Sequence, residues 1–123
     1  MEWESEPADG LKTVLAVVDH AAARDGDRAA IHCGGRDLVI GEIRDESLRL
    51  ASALIAHGVQ PGDRVALMMG NVPEFLVAWF GILRAGAIEV PIHSAYRGLL
   101  LEHILSETGA NVLICDADMV ERL

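Results

Sequence analysis

Apolar residues fall into short runs and stripes, and each change in their spacing marks an element. From Thr13 to about Arg24, Val14, Val17, Val18 and Ala21 recur at helical spacing, with Thr13 suited to cap the start. Asp25-Gly26-Asp27 breaks the stripe. Ala29–Cys33 and Arg36–Ile40 then flank Gly34-Gly35, a pair suited to a two-residue hairpin turn. A second helix is predicted over roughly Glu42–His57. Ile43, Leu50, Ala51, Leu54 and Ile55 line one face, and Glu42, Arg44, Asp45, Glu46 and Arg49 face away. Gly58 suits the left-handed position after a helix end, and Val59 can fold back on the last turn.

Gln60-Pro61-Gly62-Asp63 has turn chemistry, with proline presetting φ and glycine accepting positive φ. Arg64–Met69 follows as a nearly continuous apolar strand, the pattern of a strand covered on both faces. Asn71-Val72-Pro73-Glu74 reads as a helix start. Asn71 is placed to cap, and Glu74 to return a bond to the Asn71 amide. The helix Pro73–Arg84 is apolar almost all round and is expected to be buried on most sides, with more apolar surface than one small sheet face covers. Gly86 ends it, and Ala87–Ile92 is the next strand. A helix over about Tyr96–Thr108, a strand at Asn111–Cys115 and an unfinished element at Ala117–Leu123 complete the pattern. Strands joined by helices run parallel with right-handed crossovers. The predicted fold is therefore α/β, a three-layer-type parallel βαβαβ wind preceded by a helix, a β-hairpin and a helix. Its open sheet edge is expected after Asn111–Cys115 or beside Arg64–Met69. Residues 1–10 read as a disordered tail.

Composition narrows the function classes. The net charge is −9, with Lys12 the lone lysine and the arginines scattered, so no basic patch forms for nucleic acid or anionic lipid. The longest apolar run, Phe75–Leu83, is too short to span a bilayer, and the acidic start MEWESEPADG is unlike a signal peptide. A cytoplasmic location is the expectation. Cys33 and Cys115 stand far apart in apolar runs and read as buried free thiols. No metal-ligand spacing occurs, so no metal ligand is assigned.

Sites in open α/β sheets form at the carboxyl ends of strands. Here those positions are Gly70-Asn71 and Pro91-Ile92-His93-Ser94, and neither is a phosphate loop. Gly70 and Asn71 read as turn and cap residues. His20, His57 and His103 fall on helices, His32 in the hairpin, and His93 just after a parallel strand. His93 is thus one candidate ligand-binding residue, although no Ser or Cys nucleophile with a supporting acid accompanies it. Arg97 is the other, either a phosphate contact in a larger assembly or a solvated residue of a first helical turn. No catalytic residue is assigned, and no pair of carboxylates suggests acid and base.

The run Gly58-Val59-Gln60-Pro61-Gly62-Asp63-Arg64-Val65-Ala66 resembles the G-V-x-x-G-D-R-V-A element of the AMP-forming acyl-CoA synthetases, the adenylate-forming superfamily. Asn71-Val72-Pro73-Glu74-Phe75 is similar to its N-x-P-E-F/Y segment. Leu83-Arg84-Ala85-Gly86-Ala87 with Val90-Pro91-Ile92 is similar to its L-x-A-G-A…V-P-L/I segment. Glu102, His103, Ile104-Leu105 and Gly109-Ala110 follow where the family has E-L-x-x-I-L-x-x-S/T-G-A. The aromatic usual before Glu42 is missing, and His93 stands where asparagine is common.

The resemblance covers about Leu11–Cys115 and implies that 11–123 is an incomplete N-terminal AMP-binding domain. For the full-length family it implies ATP, Mg and CoA, with carboxylate adenylation followed by thioester formation. The family's Ser/Thr/Gly-rich phosphate loop with its lysine has no counterpart here, and no cofactor is assigned to this chain. The expected function is that of an N-terminal fragment of an acyl-CoA synthetase in fatty acid metabolism, inactive alone. Its partner would be the remainder of a synthetase or a second copy. The alternatives are a small interaction module docking to a synthetase or another partner, and a self-sufficient binding domain for a nucleotide or acyl ligand.

Overall fold

The computed structural model describes residues 13–123, and the predicted tail at 1–10 lies outside them. Helix α1 (Val14–Asp25) starts at Thr13, whose hydroxyl accepts the Ala16 N–H at 3.1 Å. Strands β1 (Ala29–Cys33) and β2 (Arg36–Val39) form the hairpin. Gly34 and Gly35 turn it at φ 59° and 76°, the left-handed region that this turn type demands at both positions.

Helix α2 spans Ile40–Ala56 and so begins earlier than the predicted Glu42. No side chain caps it. The Ile40 and Gly41 N–H groups instead donate to the Arg28 and Gly26 carbonyls, each at 2.9 Å. The loop after α1 satisfies the first turn, so the start carries no capping residue to read.

Next come β3 (Arg64–Met68), α3 (Glu74–Arg84), β4 (Ile88–Pro91), α4 (Gly98–Thr108) and β5 (Val112–Cys115), then a 3-10 segment at Ala117–Arg122. The three strands are parallel in the order β4-β3-β5. Strand β3 is therefore central, not an edge beside Arg64–Met69, and the open edges belong to β4 and β5. Its Val65, Ala66, Leu67 and Met68 are essentially inaccessible. Val65 and Leu67 pack with Ala51 and Leu54 of α2 and with Ala78 and Ile82 of α3. Ala66 and Met68 pack on the opposite face with Ile92, Leu101 of α4 and Met119. Helices thus cover both faces, which explains the unbroken apolar run of β3.

Helix α3 carries more apolar surface than the sheet face covers, as expected, and the excess is buried elsewhere. Its outer side packs against Val18 of α1, Ile43 of α2 and the hairpin residues Ile31 and Leu38, with Phe80 at the centre. Elements that precede the sheet in sequence supply this cover. Smaller readings shift too. The buried stripe of α1 runs through Val18 and Ala22, while Val14 and Val17 are exposed. Ile55 is exposed, and Ser47 takes the buried place on α2. Helix α3 starts too late for Asn71 to cap it, and the Glu74 carboxylate pairs with Arg36 of the hairpin at 2.6 Å. Cys33 and Cys115 are half-buried, and the Cys33 thiol donates to the Asn71 carbonyl at 3.3 Å.

One ionic cluster ties the three covering helices. Arg84 closes α3 with its side chain only 9% exposed. Its guanidinium donates to Asp19 of α1 at 2.6 and 3.1 Å, and its Nε–H to Ser47 Oγ of α2 at 2.8 Å. The Ser47 hydroxyl in turn donates to the Arg44 carbonyl at 2.8 Å. Every polar atom in this apolar setting is matched, which makes the pairing stabilising only while it is complete. Arg84→Ala is expected to cost about 1–2 kcal/mol in urea unfolding, because Ser47 keeps its bond to the Arg44 carbonyl and Asp19 is half-exposed to water. Asp19→Ala should cost more, about 2–3 kcal/mol, because it leaves the buried Arg84 guanidinium without its carboxylate.

Glu89 lies on the β4 edge strand in register with Val65. Burial pushes its carboxyl above the usual glutamate range. A raised carboxyl pKa means the folded state favours the protonated form. The contribution of Glu89 to stability is then fully present below the ordinary glutamate range and is lost as pH rises through the folded value. Glu89→Gln should accordingly raise the melting temperature near about pH 7. That advantage should shrink to nothing as pH drops through the ordinary glutamate range, which thermal melts across pH would check.

Candidate functional site

The path from β3 to β4 runs one way across the sheet, and the path from β4 to β5 runs back past β3. Helices α3 and α4 therefore lie on opposite faces, and the crevice between the carboxyl ends of β3 and β5 is the topological switch point. Gly70 follows β3 there and Asp116 follows β5. The Gly70 N–H donates to Asp116 Oδ2 at 2.8 Å. A backbone donor at this position is the kind of group that receives a ligand anion in open α/β sheets. Here the chain's own carboxylate takes it.

The two predicted site residues lie beyond β4, on the loop that leads to α4. His93 is exposed, its Nδ1 accepts the Ala95 N–H at 3.0 Å, and its ring stands 5.7 Å from that of Tyr96. The imidazole thus braces its own loop with one nitrogen and leaves Nε2 for other partners. Arg97 is exposed and extended, at φ −147° and ψ 162°, immediately before α4. Among the described residues, no hydrogen bond joins His93 to Arg97, and neither bonds to Asp116. Ser94 offers its carbonyl to the Arg122 guanidinium.

The arrangement places the Asp116 carboxylate, the His93 imidazole and the Arg97 and Arg122 guanidinium groups at one end of the sheet. It contains no nucleophile bonded to a base and no base bonded to an orienting acid. Among the described residues, no three metal-capable side chains converge. The residues present also do not fit a nucleotide triphosphate by themselves. The donor at the switch point is already given to a carboxylate, whose charge repels phosphate. Asp116 was absent from the sequence reading. Its signal was an acidic residue directly after an apolar parallel strand, level with His93 beyond β4.

A family model described as "AMP-binding enzyme" matches residues 18–123. The chain is 36% identical over 103 residues to a long-chain-fatty-acid–CoA ligase of Bacillus subtilis, covering 84% of this chain and 18% of that protein. It is 32% identical over 111 residues to the phosphinothricin tripeptide synthetase PhsC of Streptomyces viridochromogenes, covering 90% of this chain and 10% of that one. Among solved structures, the N-terminal subdomain of Klebsiella oxytoca NpsA in complex with anthranilyl-AMSN superposes with a TM-score of 0.80. That likeness has 27% identity and covers 89% of this chain and 28% of the other. The anthranilate CoA ligase AuaEII shares the fold at a TM-score of 0.84 over 89% of this chain and 21% of that one, with 24% identity. The chain spans less than a fifth of the length of both curated relatives. The matched residues, the ordered motifs and the parallel sheet agree, and the chain belongs to the AMP-binding enzyme family of adenylate-forming ligases.

Proposed function

We propose that this chain is the N-terminal scaffold segment of an ATP-dependent acyl-CoA synthetase and does not catalyse adenylation alone. The observation that carries the reading is the closed carboxyl end of the sheet. Asp116 occupies the donor of the switch-point crevice, and no acid–base pair stands beside it. A site for carboxylate activation must hold triphosphate oxygens with cations or several N–H donors. Arg97 suits one such contact once other parts of a synthetase surround it. ATP, Mg and CoA are then ligands of the larger enzyme, and the fatty-acyl ligase among the relatives supports a fatty acid as substrate. The partner is the remainder of a synthetase chain, or a second copy, in the cytoplasm. Among the described residues, no helix is long and apolar enough to cross a membrane.

A docking role without catalysis has its own support. Strands β4 and β5 leave open edges, and Leu99 and Leu100 on α4 are 85% and 53% exposed. Such surface fits a partner as well as it fits the rest of one enzyme.

Carboxylate-dependent ATP–pyrophosphate exchange separates a scaffold from an enzyme. The purified chain is expected to give none with long-chain or aromatic acids. Exchange above the acid-free blank, abolished by no loss of fold, would overturn the scaffold reading.

A further inference from the structure

The residues after β5 reach the loops that follow all three parallel strands. Asp116 accepts the Gly70 N–H beyond β3 at 2.8 Å, and the Arg122 guanidinium donates to the Ser94 carbonyl beyond β4. Between these polar contacts, Met119 is buried with Ala66, Met68, Ile92 and Leu101. The remaining side chains of the segment, Ala117, Asp118, Val120 and Glu121, are exposed. A 3-10 run of this length has little stability of its own. Among the described residues, Asp116, Met119 and Arg122 hold it across the sheet end.

We propose that Asp116–Arg122 is a strap that closes the carboxyl end of the sheet and lifts as one unit. Met119 stands between the two polar anchors. Raising either end draws its side chain out of the apolar slot, and without that side chain the other anchor holds a segment with nothing beneath it. The strap lies over the edge where open parallel sheets take ligands. Access to the Gly70 N–H and to the slot lined by Met68, Ile92 and Leu101 requires its release. This goes beyond the scaffold reading and stands whether or not the chain is catalytic.

Hydrogen exchange on the intact chain, resolved to single amides, tests the coupling. Arg122→Ala is expected to speed exchange of the Gly70 amide about tenfold, although Arg122 does not bond to Gly70. Asp116→Ala should speed the Leu123 amide, which bonds to the Val120 carbonyl and not to residue 116, by a similar factor. Val65–Leu67 of β3 serve as the reference and should keep wild-type rates. Arg122→Lys, which retains a donor, should lie between wild type and alanine, and gives a usable result if the alanine variant folds poorly. A Gly70 amide unmoved by both Arg122 variants would overturn the strap. So would equal acceleration in β3, which would mean general loosening and not release of one unit.

Discussion

Everything in this chain depends on how closely α2 and α3 approach. Gly81 sits where the helices cross, and a Cβ built there would lie 2.7 Å from Leu50 Cδ2 and 2.9 Å from its Cβ and Cγ. The stem of Leu50 cannot move aside without moving α2, so the missing side chain sets the separation. One turn further along α3, Arg84 comes level with Ser47, one turn back on α2. Glycine closes the gap, and the buried guanidinium fixes the register within it. Asp19 then brings α1 over the same seam.

That approach determines the sheet as well. With α2 and α3 side by side, Ala51, Leu54, Ala78 and Ile82 form a surface broad enough for Val65 and Leu67. Helix α4 and Met119 cover the alternate residues Ala66 and Met68. The central strand is buried on both faces, while β4 and β5 keep free edges. The resulting body is closed on its helix side and open at its strand edges. It ends, at the carboxyl side, in a crevice filled by its own Asp116. The solved N-terminal subdomain of Klebsiella oxytoca NpsA shares this fold.

Local signals made much of this legible. Thr13 caps α1, Gly34-Gly35 turns the hairpin, and Gly58 and Gly86 end their helices, because each acts through neighbouring backbone alone. The family motifs were readable for the same reason, since most of their residues are turns, caps and strand cores. Contacts distant in sequence were not legible. The start of α2 is satisfied by carbonyls of the preceding loop, and Arg84 finds Asp19 across 65 positions. Covering α3 with α1 and the hairpin required knowing how they fold back. The candidate site was half visible. His93 and Arg97 could be named from their place after a strand, but they lie on one loop without bonding to each other. Asp116, which fills the crevice, was passed over because its partner is a backbone amide, and a backbone amide carries no mark in sequence.

A double-mutant cycle in urea measures the Gly81–Leu50 approach most directly. Gly81→Ala should cost about 2–3 kcal/mol through overpacking, despite the better helix propensity of alanine. Leu50→Ala alone should cost about 2 kcal/mol. Combined, they should cost at least about 1 kcal/mol less than their sum, because truncating Leu50 makes room for the new methyl. Strict additivity, or a Gly81→Ala variant as stable as the wild type, would contradict the packing on which the scaffold rests.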